Sequence, residues 1–487
     1  MDLNASNLGK INLSKPTYTR DEVPVKIAHF GVGAFHRSHQ AIYLDALLEQ
    51  GSSTWGICGI GVMPQDKAVH ECFRNQDGLY TLTTVDSNQA ANTRVVGSIV
   101  DYVYAPDDPQ QALNVLCSPN LNVVTLTITE GGYSINEASG EFEASDPLTL
   151  ADLQDKNFID SPRSVLGFLT AALSKRRALD TAPFTVVSCD NIEGNGQKAR
   201  AALVAFANQY DPTLANWIDQ NVAFPSSMVD RITPSPTAEA AQNIAEKYGV
   251  QDDWALMSED FIQWVLEDDF CADRPELEKV GVQIVSDVRP YELMKLRILN
   301  ASHQVMSYLG SLHGYRWVHD VCTDPIFLTF LRSYVNNEAI PTLPTVSGID
   351  LSDYAETIFK RFQNHAIKDT LERQMVDASD RIPKFLLPVL RHHLANNGSI
   401  AASTLAIAAW SHYVEKTASV HGTGFADRRA ADLMAAVQGE DANPGSFLDL
   451  ASVFGDLGEN AEFRQLYIKY RSKLASTPVS EVLAELA

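Results

Sequence analysis

The sequence predicts an α/β fold in two parts, a half of alternating strands and helices up to residue 288 and a mainly α-helical half over 289–487. Two observations carry this reading. Before Pro290, short apolar runs rich in β-branched and aromatic residues alternate with helix-like stretches, which favours a mostly parallel sheet covered by helices. After Pro290 the apolar spacing is helical almost throughout.

In chain order, the strand candidates are "VKIAHFGV", "STWGICGIGV", "LYTLTTVD", "NVVTLTITEGGY" and "FTVVSCDNI", each bounded by turn residues. Helices are expected over "SPRSVLGFLTAALSKRRAL" and "GQKARAALVAFANQY". Beyond the boundary they are expected over "PYELMKLRILNASHQVMSYLGSL", "DPIFLTFLRSYV", "LSDYAETIFKRFQNHAI" and "AASTLAIAAWSHYVEKT". No repeat or low-complexity tract is visible.

Composition narrows the function. A hydrophobic share of 45% and a charged share of 20% over 487 residues are those of a soluble globular chain of two or more domains. A formal net charge of −23 argues against general affinity for nucleic acid or anionic lipid, though not against a local basic pocket. The six cysteines are dispersed, without a C-x-x-C pair, so neither a disulfide scaffold nor a zinc ribbon is expected. The first residues lack the apolar core of a signal peptide and no run reaches membrane-spanning length, which makes the cytoplasm the default location.

The first chemical motif is "FGVGAFHRSHQ". A strand ending at Phe30 runs into Gly31-Val32-Gly33-Ala34-Phe35, and a helical run follows, which is the context of a dinucleotide-binding turn. The first glycine permits the tight turn and the second lets the backbone approach a pyrophosphate. His36 stands where a third glycine is usual, so helix–strand packing must differ there. A metal reading of His36 and His39 lacks further ligands, and simple packing of the two histidines is its stronger rival. After the second strand, Asp66 is placed to accept from ribose hydroxyls and repel a 2′-phosphate, a lean towards NAD; a plain helix-start aspartate explains it equally well.

The second motif is the helix after Pro290. At ~100° per residue, Lys295, Asn300 and His303 project within an arc of roughly 140° on a helix that is apolar nearly all round. Buried Lys, Asn and His need partners, a functional cavity, or both. A buried lysine suits general acid/base work, while pairing of Lys295 with Glu292 is the structural alternative. Tyr291 and Lys295 also form Y-x-x-x-K, the spacing of short-chain dehydrogenases, but those chains are about half this length and their glycine pattern differs. In "SCDNIEGNG", Asp190 and Asn191 fall at a strand's carboxyl end, where open α/β sheets bind ligands. "FPSSMVDRITP" holds Asp230 and Arg231, for which a structural salt bridge is the plain reading.

"FGVGAFHRSHQ", "TITEGGY", "SCDNIEGNG", "MVDRITP", "YELMKLRILNASH" and "DRIPKF", in that order, resemble the polyol-specific long-chain dehydrogenases, the mannitol dehydrogenase family, over nearly the whole chain. The resemblance implies a metal-independent oxidoreductase with a Rossmann-type NAD-binding domain (1–288) and a mainly α-helical substrate-binding and catalytic domain (289–487). It implies Lys295 as general acid/base, with Asn191 and Asn300 as amide donors around the reacting oxygen. It places His303, Asp230, Arg373, Arg381, Lys384 and Glu130 about the polyol. Phe30, Gly31, Val32, Gly33, Ala34, Phe35, Asp66, Asp190 and Asn191 fall to the cofactor. The family often has lysine where this chain has Arg381, which leaves the outer substrate contacts open. The implied reaction interconverts D-mannitol and D-fructose with NAD, with a small-molecule partner only and a monomeric state. Within the family the rivals are D-arabinitol 4-dehydrogenase, other hexitol dehydrogenases and hexuronate (fructuronate) reductases. Outside it stands a catalytically silent NAD-binding protein, disfavoured because Lys295, Asn191 and Asn300 are all present.

Overall fold

A computed structural model describes residues 1–51, 53–136, 139–421 and 425–486. The chain forms two compact units. Met1–Asp86 with Ala90–Val288 make the first, and Ser87–Gln89 with Arg289–Ala487 the second.

The first unit contains strands β1 (Val25–Phe30), β2 (Gly56–Gly61), β3 (Tyr80–Val85), β4 (Ala91–Val96), β5 (Ile99–Tyr104), β6 (Val123–Leu126), β7 (Thr185–Ser188), β8 (Ser227–Asp230), β9 (Leu256–Glu259), β10 (Gln263–Glu267) and β11 (Gln283–Val285). Its main sheet has the order β5-β2-β1-β6-β7, with every pair parallel. Residues of β2, β6 and β7 are buried throughout, as expected of parallel strands covered on both faces. Alternation along each strand separates two cores. Ala28, Phe30, Val124 and Val186 face one, with the helices Val165–Ala178 and Asn195–Tyr210. Ile27, Ile57, Val123 and Val187 face the other, with Leu44 and Leu47 of the helix Gln40–Glu49.

The chain fills the sheet outward from β1 to β5, then returns to the other side with β6 and β7. That reversal between β1 and β6 is the switch point at which open α/β sheets bind ligands. "LYTLTTVD" is a strand but lies outside this sheet. As β3 it pairs antiparallel with β4 and parallel with β9. The short connection from β3 to β4 forces an antiparallel neighbour, because parallel strands need a long crossover. The third sheet, β11-β10-β8, combines a parallel and an antiparallel pair.

Local chemistry explains many helix starts. Asp108, Asp146, Asp211 and Asp324 each precede a proline and accept from the first free N–H groups of the helix that follows. The second unit is helical, with no β-strand among its described residues. At its centre lies the buried helix Ala301–His313, packed against Ala401–His421, which in turn packs on Ala461–Ser476. Among the described residues no helix is long and apolar enough to cross a membrane.

Candidate active site

The glycine turn at the end of β1 is built around one close approach. Gly31 has φ +93°, and a Cβ there would lie 2.1 Å from the Thr127 carbonyl oxygen at the end of β6. Only glycine fits. Gly33 differs, since a Cβ on it would meet nothing nearer than the Gly31 oxygen at 3.8 Å, so this stretch of backbone lies open. Phe30 and Val32 are buried in the cores on either side, and Ala34 and Phe35 begin the following helix, Ala34–Ser38.

His36 packs, and what it packs on is His29 of β1. Their rings stack with centroids 3.5 Å apart and planes 12° from parallel. His29 is held by Thr125 Oγ1 at 2.7 Å and Thr127 Oγ1 at 3.0 Å. Where a third glycine would allow close backbone contact, a ring stack joins helix to strand instead. Burial pushes the His29 pKa down to about 3 and that of His36 well below its ordinary value, so both are neutral. Arg37 donates to the Trp254 carbonyl and lies against the rings of Trp254 and Tyr80, while Tyr80 donates to the Arg37 carbonyl at 2.6 Å. His39 reaches the Gln263 carbonyl at 2.8 Å. Among the described residues no group of three or more His, Cys, Asp or Glu is placed to hold a metal ion. The cavity beside His36 and Gln40 measures about 20 Å³, room for one water and not for a dinucleotide.

Asp190 closes the other side of the switch point. Its carboxylate accepts from Ile128 N (3.0 Å), Thr129 N (2.8 Å) and the Tyr133 hydroxyl (2.6 Å). This clamp holds Thr129 at φ +61°, a backbone region that non-glycine residues rarely occupy. It thereby fixes Glu130, which is exposed. Both Asp190 oxygens are engaged with protein, so this side chain shapes the turn from Ile128 to Tyr133 and ties it to the end of β7. Asn195 ties β7 to β8 through the Asp190 and Ser227 carbonyls.

Asp230 ends β8 and is buried. Arg231 donates to the carbonyls of Ser38 and Glu259, because its side chain lies between the helix Ala34–Ser38 and β9. Asp66 Oδ2 accepts from Val62 N and Met63 N, both at 2.9 Å, and so closes the turn after β2.

In the second unit, the helix after Pro290 departs from the ideal one. Lys295–Asn300 is a π-helical segment between the α-helices Arg289–Met294 and Ala301–His313. One extra residue in the turn means that positions five apart fall roughly where positions four apart do on an α-helix. The 140° arc expected for Lys295, Asn300 and His303 therefore narrows to roughly 60°. Exposures of 7%, 9% and 6% place all three inside the protein. Tyr291 donates its hydroxyl to the Ser347 carbonyl at 2.9 Å, which removes it as a proton donor of the Y-x-x-x-K kind.

His303 lies against Phe362, with centroids 4.4 Å apart. Burial pushes its pKa down to about 4, and the charges facing it belong to Asp369, Arg373, Arg361 and Arg381. The structure thus brings together His303, Arg373 and Arg381. Lys384 stands one turn beyond Arg381 on the helix Ala378–Phe385.

The sequence profile of the mannitol dehydrogenase Rossmann domain matches residues 25–279, and that of the mannitol dehydrogenase C-terminal domain matches 287–472. The chain belongs to the mannitol dehydrogenase family. Mannitol 2-dehydrogenase of Phaeosphaeria nodorum is 41% identical over 94% of this chain and 80% of its own length. That of Aspergillus clavatus is 39% identical over 94% and 93%. A Pseudomonas fluorescens mannitol 2-dehydrogenase solved as a ternary complex with NAD and D-mannitol superposes with TM-score 0.87 at 40% identity, covering 100% of this chain and 99% of that one. A D-sorbitol dehydrogenase solved substrate-free gives TM-score 0.90 at 35% identity, covering 99% and 100%.

Sequence reasoning missed several residues of this family member's site. Tyr133 was legible only as the end of "TITEGGY", and Thr127 as one more β-branched residue. Asp369 stands four residues before Arg373 but just ahead of the helix Leu371–Met375 and its N-cap Thr370, so no helical pattern in the sequence signals the pair.

Proposed function

We propose that the protein is an NAD-dependent mannitol 2-dehydrogenase, interconverting D-mannitol and D-fructose. The observation that carries the reading is the π turn that aligns buried Lys295, Asn300 and His303 on one face of one helix.

The first unit suits a dinucleotide. Gly31 makes the tight turn at the switch point, and the open backbone at Gly33 leaves space that any side chain would fill. NAD bound there supplies the hydride acceptor. Asp66 Oδ2 is engaged by the turn, and its carboxylate favours ribose hydroxyls over a 2′-phosphate.

The remaining chemistry belongs to the chain's own groups. Lys295 Nζ accepts the hydroxyl proton during oxidation and returns it to the ketone oxygen during reduction. Asn300 Nδ2 donates to the oxygen as negative charge grows on it. The role proposed for Asn191 is that of a second amide donor, and for His303, Asp230, Glu130, Arg373, Arg381 and Lys384 that of polyol contacts. Location in the cytoplasm and a monomeric state accord with this reading.

A substrate panel read at 340 nm tests it, with D-mannitol, D-arabinitol, D-sorbitol, D-fructose and D-fructuronate, each with both the NAD and NADP forms. Mannitol oxidation and fructose reduction with NAD are expected to lead. Faster reduction of fructuronate than of fructose overturns the substrate, and a clear NADP preference overturns the role of Asp66. The similarity to a D-sorbitol dehydrogenase favours D-sorbitol as the second reading.

A further inference from the structure

Arg373 is paired, and its partner has no place in the reaction just proposed. Asp369 Oδ1 accepts from Arg373 Nε at 2.8 Å, and Oδ2 accepts from Nη2 at 3.1 Å. This is the two-pronged fork of a strong guanidinium–carboxylate pair. Gln374 Nε2 adds a third bond to Oδ2 at 2.7 Å. The Asp369 side chain is 5% exposed and that of Arg373 58%, so the carboxylate sits behind the guanidinium. The backbone holds this arrangement. Val318 N donates to the Asp369 carbonyl at 3.0 Å. Arg381 Nη1 donates to the carbonyls of Arg373 (3.3 Å) and Gln374 (3.1 Å).

Around His303, then, Asp369 is a carboxylate among the guanidinium groups of Arg373, Arg361 and Arg381. A polyol and a sugar acid of the same length differ by one carboxylate. A free guanidinium takes that group through the same two-pronged fork that Asp369 already occupies. An arginine so paired has its charge compensated and offers its remaining N–H groups to neutral hydroxyls.

We propose that Asp369 is a specificity-determining residue, which holds Arg373 as a donor to polyol hydroxyls and turns away anionic sugars. The proposal rests on reading the second unit as the polyol-binding one. It names a residue, outside those assigned to catalysis and substrate, that separates polyol from uronate chemistry on this scaffold.

The test is Asp369→Asn, which keeps the shape and an acceptor for Gln374 but removes the charge. The readout is the inhibition constant of D-gluconate, a six-carbon hydroxy acid, against D-mannitol oxidation. Gluconate is expected to bind about tenfold tighter or more in the variant, with the KM for mannitol unchanged or raised, because one charge-assisted contact becomes available. An unchanged inhibition constant in a variant that melts like the wild type overturns the proposal. Asp369→Glu keeps the charge and is expected to keep weak gluconate inhibition; tightening there as well points to lost packing and also overturns it. Should Asp369→Asn not fold, the wild type decides alone, since gluconate binding tighter than mannitol's own KM is incompatible with a compensated Arg373. Failure of the functional reading is distinct, because the wild type would then oxidise no mannitol at all.

Discussion

Gly31 and Gly33 stand two residues apart and are needed for different reasons. Alanine at Gly31 would drive Cβ to 2.1 Å from a carbonyl oxygen in a strained backbone region, and is expected to destabilise the fold by about 3 kcal/mol or more. Alanine at Gly33 meets no protein atom closer than 3.8 Å, so that variant should melt like the wild type yet bind NADH at least about tenfold more weakly. Thermal melts and fluorescence titration separate the two; a Gly33→Ala protein with full NADH affinity would contradict the phosphate-approach role. For the proton-transfer residue, Lys295→Ala should remove about 10²–10⁴ of turnover with NADH binding intact, and near wild-type rates would sink the assignment. At this scale the sequence was informative where a residue type has one use. It marked Gly31 and Lys295, but could not say that Asp190 clamps Thr129 or that Arg231 bonds the carbonyls of Ser38 and Glu259. Those partners lie more than fifty or more than twenty-five residues away along the chain.

Among elements, the π turn at Lys295–Asn300 is what periodicity could not reveal. Hydrophobic spacing locates a helix, but one extra residue in a turn moves side chains by about 100° and leaves the apolar pattern intact. A second π segment, Val335–Ala339, carries Glu338, whose buried carboxylate accepts from Ala402 N (2.7 Å) and Ser403 N (2.9 Å). It caps the start of the helix Ala401–His421 from sixty residues away, a cap with no local motif. Glu338→Ala leaves those donors unsatisfied and is expected to lower stability by about 3 kcal/mol, read by denaturant unfolding; a loss under 1 kcal/mol would show that water replaces the carboxylate freely.

Across the molecule, buried neutral histidines set the acid limit. His29 and His303 have folded pKa values pushed down to about 3 and about 4, and His36 is lowered as well, against an unfolded value near 6.5. Below pH ~6.5 the unfolded chain binds more protons than the native one, so stability is fully present above that pH and falls as the pH drops towards ~4. His303 alone accounts for about 3 kcal/mol of that loss. Much of the decline falls above the range in which ordinary carboxylates titrate. Equal denaturant midpoints at pH 7 and pH 5 would refute it.

The sequence by itself located β1, β2, β6 and β7 of the main sheet but not β5, together with the glycine turn after β1 and the apolar helix after Pro290. These follow from local composition and periodicity. Tertiary structure decided the strand order that puts the switch point between β1 and β6, the exclusion of β3 from the main sheet, the His29–His36 stack and the Asp369–Arg373 pair. Each depends on groups brought together by chain reversal, and the one-dimensional pattern does not carry their distances or their charges.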